Sequence, residues 1–401
     1  MNHQIALLGS GFIGRFYAAS LLHFRGKDQI TMVYSRHEET AQKLAQEFSI
    51  PHWTNDLTKA IQDPSIDTVI IGLPNYLHKK AALLAAQAGK AVLCTKPLAT
   101  SAPEALEMLE AVEKAGVFHG YLEDLVYTPK TLKALDSVKR SALGKILWVR
   151  SRETHAGPHS DWFWTKQFSG GGAMMDMGCH CIEIARNFIG KACRPIEVTC
   201  WADTQVHPIE TEDHSVGLVR YDSGAIGQFE ASWAFHGGMD LRDEIVGTEG
   251  TIWLNHWLRT GFEMFTNVGS SGYVAEKAEG DTGWLFPVGD ESGALGYVEM
   301  FLDMFNSMDA EKPPLETFYD GYIVNAIIDA CYQAAETKKW QPVELATWRG
   351  ECTTPTEIPL KEFDNQHFLI KEERMPDGRL KIILKDKTTG EISQLVKEQS
   401  Y

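Results

Sequence analysis

Gln4-Ile5-Ala6-Leu7-Leu8-Gly9-Ser10-Gly11-Phe12-Ile13-Gly14 opens the chain with a short apolar run and a glycine-rich turn, and helix-friendly composition follows from Arg15 to Phe24. A strand that turns on glycines into a helix leaves backbone N–H groups at the helix N-terminus, where the pyrophosphate of a dinucleotide can rest. A bare Gly-x-Gly-x-x-Gly is weak evidence, but Gln29 to Tyr34 reads as the next strand and completes a βαβ unit around it. Gly9, Gly11, Phe12, Ile13 and Gly14 are therefore candidate contacts to a nicotinamide dinucleotide. The end of the second strand normally selects the cofactor, through an acid for NAD or an arginine that tolerates the extra phosphate of NADP. Here it reads Ser35-Arg36 with no acid. The expected cofactor is NAD or NADP, with NADP slightly favoured; Arg36 stacking on adenine would suit either.

Working outward, strands and helices keep alternating: Thr68 to Gly72, a helix from Tyr76 to Ala88, Ala91 to Cys94, a helix from Pro103 to Ala115, and Val117 to Leu122. That order predicts a doubly wound parallel sheet over residues 1–123. Leu73-Pro74-Asn75 and Thr95-Lys96-Pro97 each follow a strand, on the carboxyl edge where open sheets bind ligands. Leu73, Pro74, Asn75, His78 and Lys96 join the cofactor candidates. Lys96, held by the proline after it, could also polarise a substrate oxygen.

Gly170-Gly171-Gly172 lets the backbone approach a neighbouring surface closely, and a helix is expected from Ala173 to Ile189 with Gly190 as its terminator. Four-residue spacing puts Asp176 and His180 on one face of that helix. The carboxylate would fix the imidazole tautomer and raise its pKa, which suits proton transfer, although an ordinary solvated pair has the same spacing. Cys179 and Cys181 flank His180, but successive helix positions point to different faces, so no metal is expected.

Lys plus Arg number 38 against 54 Asp plus Glu over 401 residues, a net charge of -16 that argues against nucleic acid as a partner. No apolar run is long enough to span a bilayer and the N-terminus lacks a secretion pattern. Seven scattered cysteines fit reduced thiols and a cytoplasmic location better than a disulfide framework.

With glycines 9, 11 and 14, Lys96-Pro97 and the Gly170 to His180 stretch together, the chain resembles the glucose-fructose oxidoreductase, inositol dehydrogenase and MocA family over roughly residues 3–345. The resemblance implies a Rossmann domain followed by an α+β domain with a large open mixed or antiparallel sheet, and often a homo-oligomer (dimer or tetramer) built on that sheet. It implies that Lys96, Asp176 and His180 meet at the nicotinamide. Two positions depart from the family pattern: Thr95 replaces a glutamate, which bears on how Lys96 is held and charged, and Glu183 replaces an aspartate. Residues 154–164 resemble the family's variable substrate and cofactor loop, which makes Trp162 a cofactor candidate.

In that loop aromatic faces can pack on sugar C–H faces, and His155, His159 and Asp161 can bond hydroxyls. Glu123, His155, His159, Asp161, Trp164 and Asp176 are the candidate substrate contacts; the alternative for Trp162 and Trp164 is a plug between domains. A second domain is expected over 124–348, with a helix from Pro129 to Ser141, a strand from Lys145 to Glu153, a run of strands between Ile196 and His256, and helices from Leu295 to Met308 and Gly321 to Thr337. Residues 349–401 form an extension with a Thr/Pro-rich linker and a β-hairpin at Met375-Pro376-Asp377-Gly378, read as an arm or a loose appendage.

The expected activity is hydride transfer between nicotinamide and a secondary hydroxyl or ketone of a sugar, cyclitol or glycoside. His180 is the acid/base, Lys96 the polarising group and Asp176 the orienting one, with Lys96 and His180 unranked. One alternative is a redox-neutral NAD-dependent glycosidase that oxidises, eliminates and re-reduces. The other is a non-catalytic nucleotide sensor, which the intact trio argues against.

Overall fold

The computed structural model describes residues 2–21, 25–257, 264–267, 282–285, 290–350 and 360–398. The last residues of the expected Arg15 to Phe24 helix and the Thr/Pro-rich linker lie outside these. Two compact units divide at Thr353/Thr354.

The first unit begins with six parallel strands: β1 (Gln4–Leu8), β2 (Gln29–Tyr34), β3 (His52–Thr54), β4 (Thr68–Ile71), β5 (Ala91–Thr95) and β6 (His119–Leu122). Their order is β3-β2-β1-β4-β5-β6, the doubly wound arrangement expected. β4 is buried at every position because helices cover both faces of such a sheet. The helices are α1 (Phe12–Leu21), α2 (Glu38–Glu47), α3 (Leu57–Gln62), α4 (His78–Gln87) and α5 (Ala102–Ala115). The α2-β3-α3 segment was not anticipated, since β3 has three residues, two of them exposed, and no apolar run to mark it.

The chain then runs through α6 (Pro129–Lys139) into a seven-stranded sheet. Its strands are β7 (Ile146–Thr154), β8 (Pro195–Asp203), β9 (His214–Tyr221), β10 (Ile226–Ser232), β11 (Asp240–Gly247), β12 (Thr251–Asn255) and, after a small β13 (Met264–Thr266)/β14 (Gly283–Leu285) pair, β15 (Gln341–Pro342). The order is β12-β11-β7-β10-β9-β8-β15, antiparallel except where β7 meets β10. Alternating burial along β9 shows one covered face. That face is covered by α8 (Cys179–Ile189), which follows the short α7 (Lys166–Ser169), and by α11 (Phe318–Thr337).

The helices after the second sheet return to the first. α9 (Glu291–Ala294) and α10 (Tyr297–Asp309) pack on α1, and α11 packs on α5 as well as β8. Leu98, Met108 and Val112 thus share a core with Ile323, Ile327, Val198 and Val219. A buried ionic cluster ties α8 to α11: Arg186 meets Glu183 at 2.5 Å and Asp320 at 3.5 Å, and Lys191 meets Glu316 at 2.8 Å. Glu183, the second departure from the family pattern, therefore belongs to the scaffold.

The second unit is a three-stranded antiparallel sheet of β16 (His367–Arg374), β17 (Leu380–Asp386) and β18 (Ile392–Lys397). The expected hairpin turn is there: Gly378 takes φ 87° and its N–H meets the Met375 carbonyl at 2.9 Å. The third strand was not anticipated, because all six residues of β18 are exposed and carry no burial pattern.

Candidate active site

A cavity of about 880 Å³ runs along the carboxyl edge of the Rossmann sheet to the start of α8. At one end stand Gly9, Gly11, Phe12 and Ile13, then Ser35, Arg36 and His37 on the rim after β2. A Cβ on Gly9 would stand 2.1 Å from the Gly72 carbonyl oxygen, and one on Gly14 would stand 2.2 Å from that of Gly9. Gly11, by contrast, has no atom within 4 Å of where its Cβ would sit, which leaves the helix N-terminus open to a ligand. Packing thus demands glycine at 9 and 14, while 11 keeps the approach clear, as a bound pyrophosphate requires. The residues present fit a dinucleotide.

Leu73, Pro74 and Asn75 line the middle of the cavity, and the Asn75 amide donates to the Ser169 carbonyl at 2.8 Å, tying this loop to the turn before the three glycines. His78 is a correction. It is fully buried behind the wall, its ring nitrogens facing the carbonyls of Leu73 at 2.7 Å and Pro97 at 3.0 Å. It clips two cavity loops together.

At the far end Lys96, Asp176 and His180 converge, together with Asp124, Glu153 and His155. Thr95, the first departure, accepts a hydrogen bond from the buried Tyr17 hydroxyl at 2.7 Å. Lys96 Nζ donates to the Asp176 carbonyl at 2.7 Å and to its Oδ1 at 3.1 Å. Burial disfavours the ammonium, but the facing carboxyl groups, Asp176 first and then Glu153 and Asp124, outweigh it and hold the Lys96 pKa well above the usual value. Asp176 Oδ2 accepts from the Trp233 indole at 3.1 Å, a partner not anticipated because Trp233 lies beyond β10, far away in sequence.

The helix carrying these groups departs from expectation. Met174–Gly178 is a π-helical turn, and the regular helix begins only at Cys179. With i→i+5 bonding, four residues fall short of a full turn. Asp176 consequently reaches Lys96 and Trp233, while His180 Nδ1 meets Glu123 Oε1. The histidine pKa is also opposite in sign to the expectation: burial first, then Lys96, push it down to about 3, although Asp124 and Asp176 oppose this. Glu123, expected on the substrate wall, is fully buried behind His180, and burial pushes it up to about 8. Cys179, His180 and Glu123 each bring one donor atom within 4.8 Å of the others, closer than successive positions on a regular helix imply. The Cys179 thiol faces the Asp176 carbonyl at 3.2 Å, and burial keeps it protonated.

The loop after β7 supplies His155, His159, Asp161 and Trp162 to the cavity wall. His159 packs on Phe12 of the glycine turn with ring centroids 4.7 Å apart, and Trp162 stacks on Phe163 at 3.7 Å. Trp164 is turned away from the cavity. It packs on Trp233 at 5.2 Å and His207 at 5.1 Å, both in the second half of the chain, so neither a cavity contact nor a plug between domains is seen at Trp164.

Comparison with known proteins agrees with this architecture. Residues 3–121 match the oxidoreductase family with NAD-binding Rossmann fold, and residues 131–253 match the GFO/IDH/MocA C-terminal domain. Levoglucosan dehydrogenase of Pseudarthrobacter phenanthrenivorans is 27% identical over 390 residues, covering 85% of this chain and 98% of that protein. Myo-inositol 2-dehydrogenase of Thermotoga maritima is 25% identical, covering 84% of this chain and 97% of its own. Among solved structures, GenD2 from gentamicin A biosynthesis in complex with NAD superimposes with a TM-score of 0.80 at 31% identity, over 86% of this chain and 97% of that one. With both halves matched in order and three motifs gathered around one cavity, the chain belongs to the GFO/IDH/MocA family of oxidoreductases.

Proposed function

We propose that the protein is a nicotinamide-dependent dehydrogenase of a secondary alcohol on a sugar, cyclitol or glycoside. The convergence of Lys96, Asp176 and His180 at the end of the dinucleotide cavity carries this reading. The relatives support it: they are named as dehydrogenases of levoglucosan and inositols, and none of these names points to a glycosidase or a sensor.

Gly9, Gly11, Phe12 and Ile13 hold the pyrophosphate side, and Ser35, Arg36 and His37 face the adenosine ribose. When bound, the nicotinamide exchanges a hydride at its C4 with the substrate carbon. No acid stands at the end of β2, which supports admission of NADP(H) beside NAD(H). Lys96 stays an ammonium, so it acts as a fixed donor that polarises the substrate oxygen. Its orientation is set by Asp176, itself held by Trp233. His180 stays neutral near pH 7, so its ring can take or give the proton at that oxygen. On this reading Lys96 polarises the oxygen and His180 moves the proton.

His155 faces the sugar and nicotinamide end, and His159, Asp161 and Trp162 line the same cavity. Six free cysteines among the described residues suit a reducing cytoplasm, and no described helix is long and apolar enough to cross a membrane. The uncovered face of the seven-stranded sheet suits assembly into a homo-oligomer.

The test is turnover of a panel of sugars, anhydrosugars and inositols with each nucleotide, by wild type, His180→Ala and Lys96→Met. Both variants are expected to bind nucleotide normally and to lose at least about 10²-fold in kcat. A His180→Ala enzyme with unaltered turnover would remove the assignment.

A further inference from the structure

We infer that Glu123 is a positioning residue that takes up, through the His180 ring, the proton released by the substrate hydroxyl. The inference rests on His180 being the group that meets that hydroxyl.

His180 lines the cavity, and its Nδ1 is engaged by Glu123 Oε1 on the side away from it. That leaves Nε2 as the nitrogen available to a substrate. Glu123 is fully buried and its Oε2 has no hydrogen-bond partner among the described residues. An ionised carboxylate with an orphaned oxygen is costly in such a place, whereas the neutral acid is tolerated. The imidazolium is disfavoured as well, by burial first and then by the Lys96 ammonium. Burial raises Glu123 to about 8 and lowers His180 to about 3, so a proton entering the pair rests on the carboxyl.

The pair then has two forms that differ by one proton, the one a substrate hydroxyl would supply. With Glu123 ionised, Nδ1–H donates to Oε1 and Nε2 presents a lone pair. With Glu123 protonated, Oε1–H donates to Nδ1 and Nε2 carries the hydrogen. In oxidation the substrate O–H bond breaks and its proton joins Nε2, while the Nδ1–H bond breaks and that proton joins Oε1. The substrate carbon forms its C=O bond as its hydride leaves for the bound nicotinamide. The ring ends neutral in the other tautomer, and reduction runs the same transfers backwards.

The groups around Glu123 are Lys96 after β5, Tyr121 of β6, Glu153 of β7, Cys179, Cys181 and Glu183 of α8, and Lys191 beyond it. Lys96 and Lys191 favour ionisation and Glu183 opposes it. Oxidation needs the ionised form, so kcat/KM for the alcohol rises with pH up to about 8 and levels off above. For ketone reduction kcat/KM falls through the same interval.

The experiment is a pH series of long-range ¹H–¹⁵N histidine spectra on wild type and Glu123→Gln, with His180→Gln to identify the ring signals, beside oxidation kinetics. Wild type is expected to pass from the Nε2–H to the Nδ1–H tautomer through about pH 8. In Glu123→Gln the tautomer should be the same at every pH. Its kcat should fall about 10²–10⁴-fold with KM and nucleotide affinity nearly unchanged, and its pH limb should disappear. A wild-type tautomer constant across the series overturns the inference even if the variant does not fold. So does a Glu123→Gln enzyme that keeps wild-type kcat and pH limb. If no sugar turns over, the wild-type spectra still decide the role of Glu123, and that failure belongs to the substrate assignment.

Discussion

Arg36 shows what a single residue can decide at the cofactor end. It stands on the cavity rim after β2, with Ser35, His37 and Thr40 around it. Ser35 and Thr40 pair through their hydroxyls at 2.8 Å, and the Arg36 guanidinium meets the His37 ring at 3.3 Å. A guanidinium gains a charge-assisted bond only if a phosphate is present, worth roughly 1.5–3 kcal/mol. Arg36→Ala should therefore weaken NADP(H) about tenfold or more, and alter NAD(H) little. Fluorescence titration of both reduced nucleotides checks this; equal losses would mean that Arg36 only stacks on adenine. Ser35-Arg36 was visible as a candidate because selectivity sits at a fixed place in the βαβ unit. The Glu123–His180 contact was not, since it joins residues 57 apart.

At the scale of elements, the stretch from Gly170 to Gly178 is built by close approach more than by helix propensity. A Cβ on Gly171 would lie 1.9 Å from the Tyr332 hydroxyl, and one on Gly172 would lie 1.8 Å from the Glu212 carbonyl oxygen. Glu212 Oε1 in turn accepts from the N–H groups of Gly172 at 3.0 Å and Met174 at 2.9 Å. The turn into the π-helical segment is thus anchored on the β8–β9 connection. Gly172→Ala must displace backbone, so a loss of about 1–3 kcal/mol is expected in urea unfolding. Activity per folded molecule should fall too, because Asp176 and His180 ride on the same turn. A stable, fully active Gly172→Ala would show that the anchor is dispensable. Three glycines ahead of a helix signalled a close approach, but not the π-helical turn, which depends on what the glycines touch.

Over the whole molecule, the seven-stranded sheet leaves one broad face outside the core. Trp253 on β12 is 75% exposed and Trp201 on β8 is 44% exposed, with Arg150 and Arg220 among them. Large aromatic rings left in water on a flat face suit the homo-oligomer contact proposed above. Trp253→Glu is expected to shift the assembly toward monomer in light scattering and leave nucleotide affinity unchanged. A monomeric wild type would count against the sheet as an assembly face. α10 and α11 come late in sequence and pack back on elements of the first sheet's half, α1, α5 and β6.

The sequence by itself determined the Rossmann sheet, the mixed second sheet and the family, and it named Lys96, Asp176 and His180 as candidates that the fold brings to one cavity. Those features are local: apolar runs of set length, glycines at set offsets, and charged residues at strand ends. Which carboxylate holds which cation was decided only by the tertiary structure. Lys96 belongs with Asp176 and His180 with Glu123 through contacts that cross from the first sheet to the helix on the second, and Asp176 with Trp233 through one that joins the π-helical turn to the end of β10. The direction of the histidine shift followed the same rule. Spacing along a helix can name a neighbour, but burial beside an ammonium, which sets the sign, is a property of the folded chain.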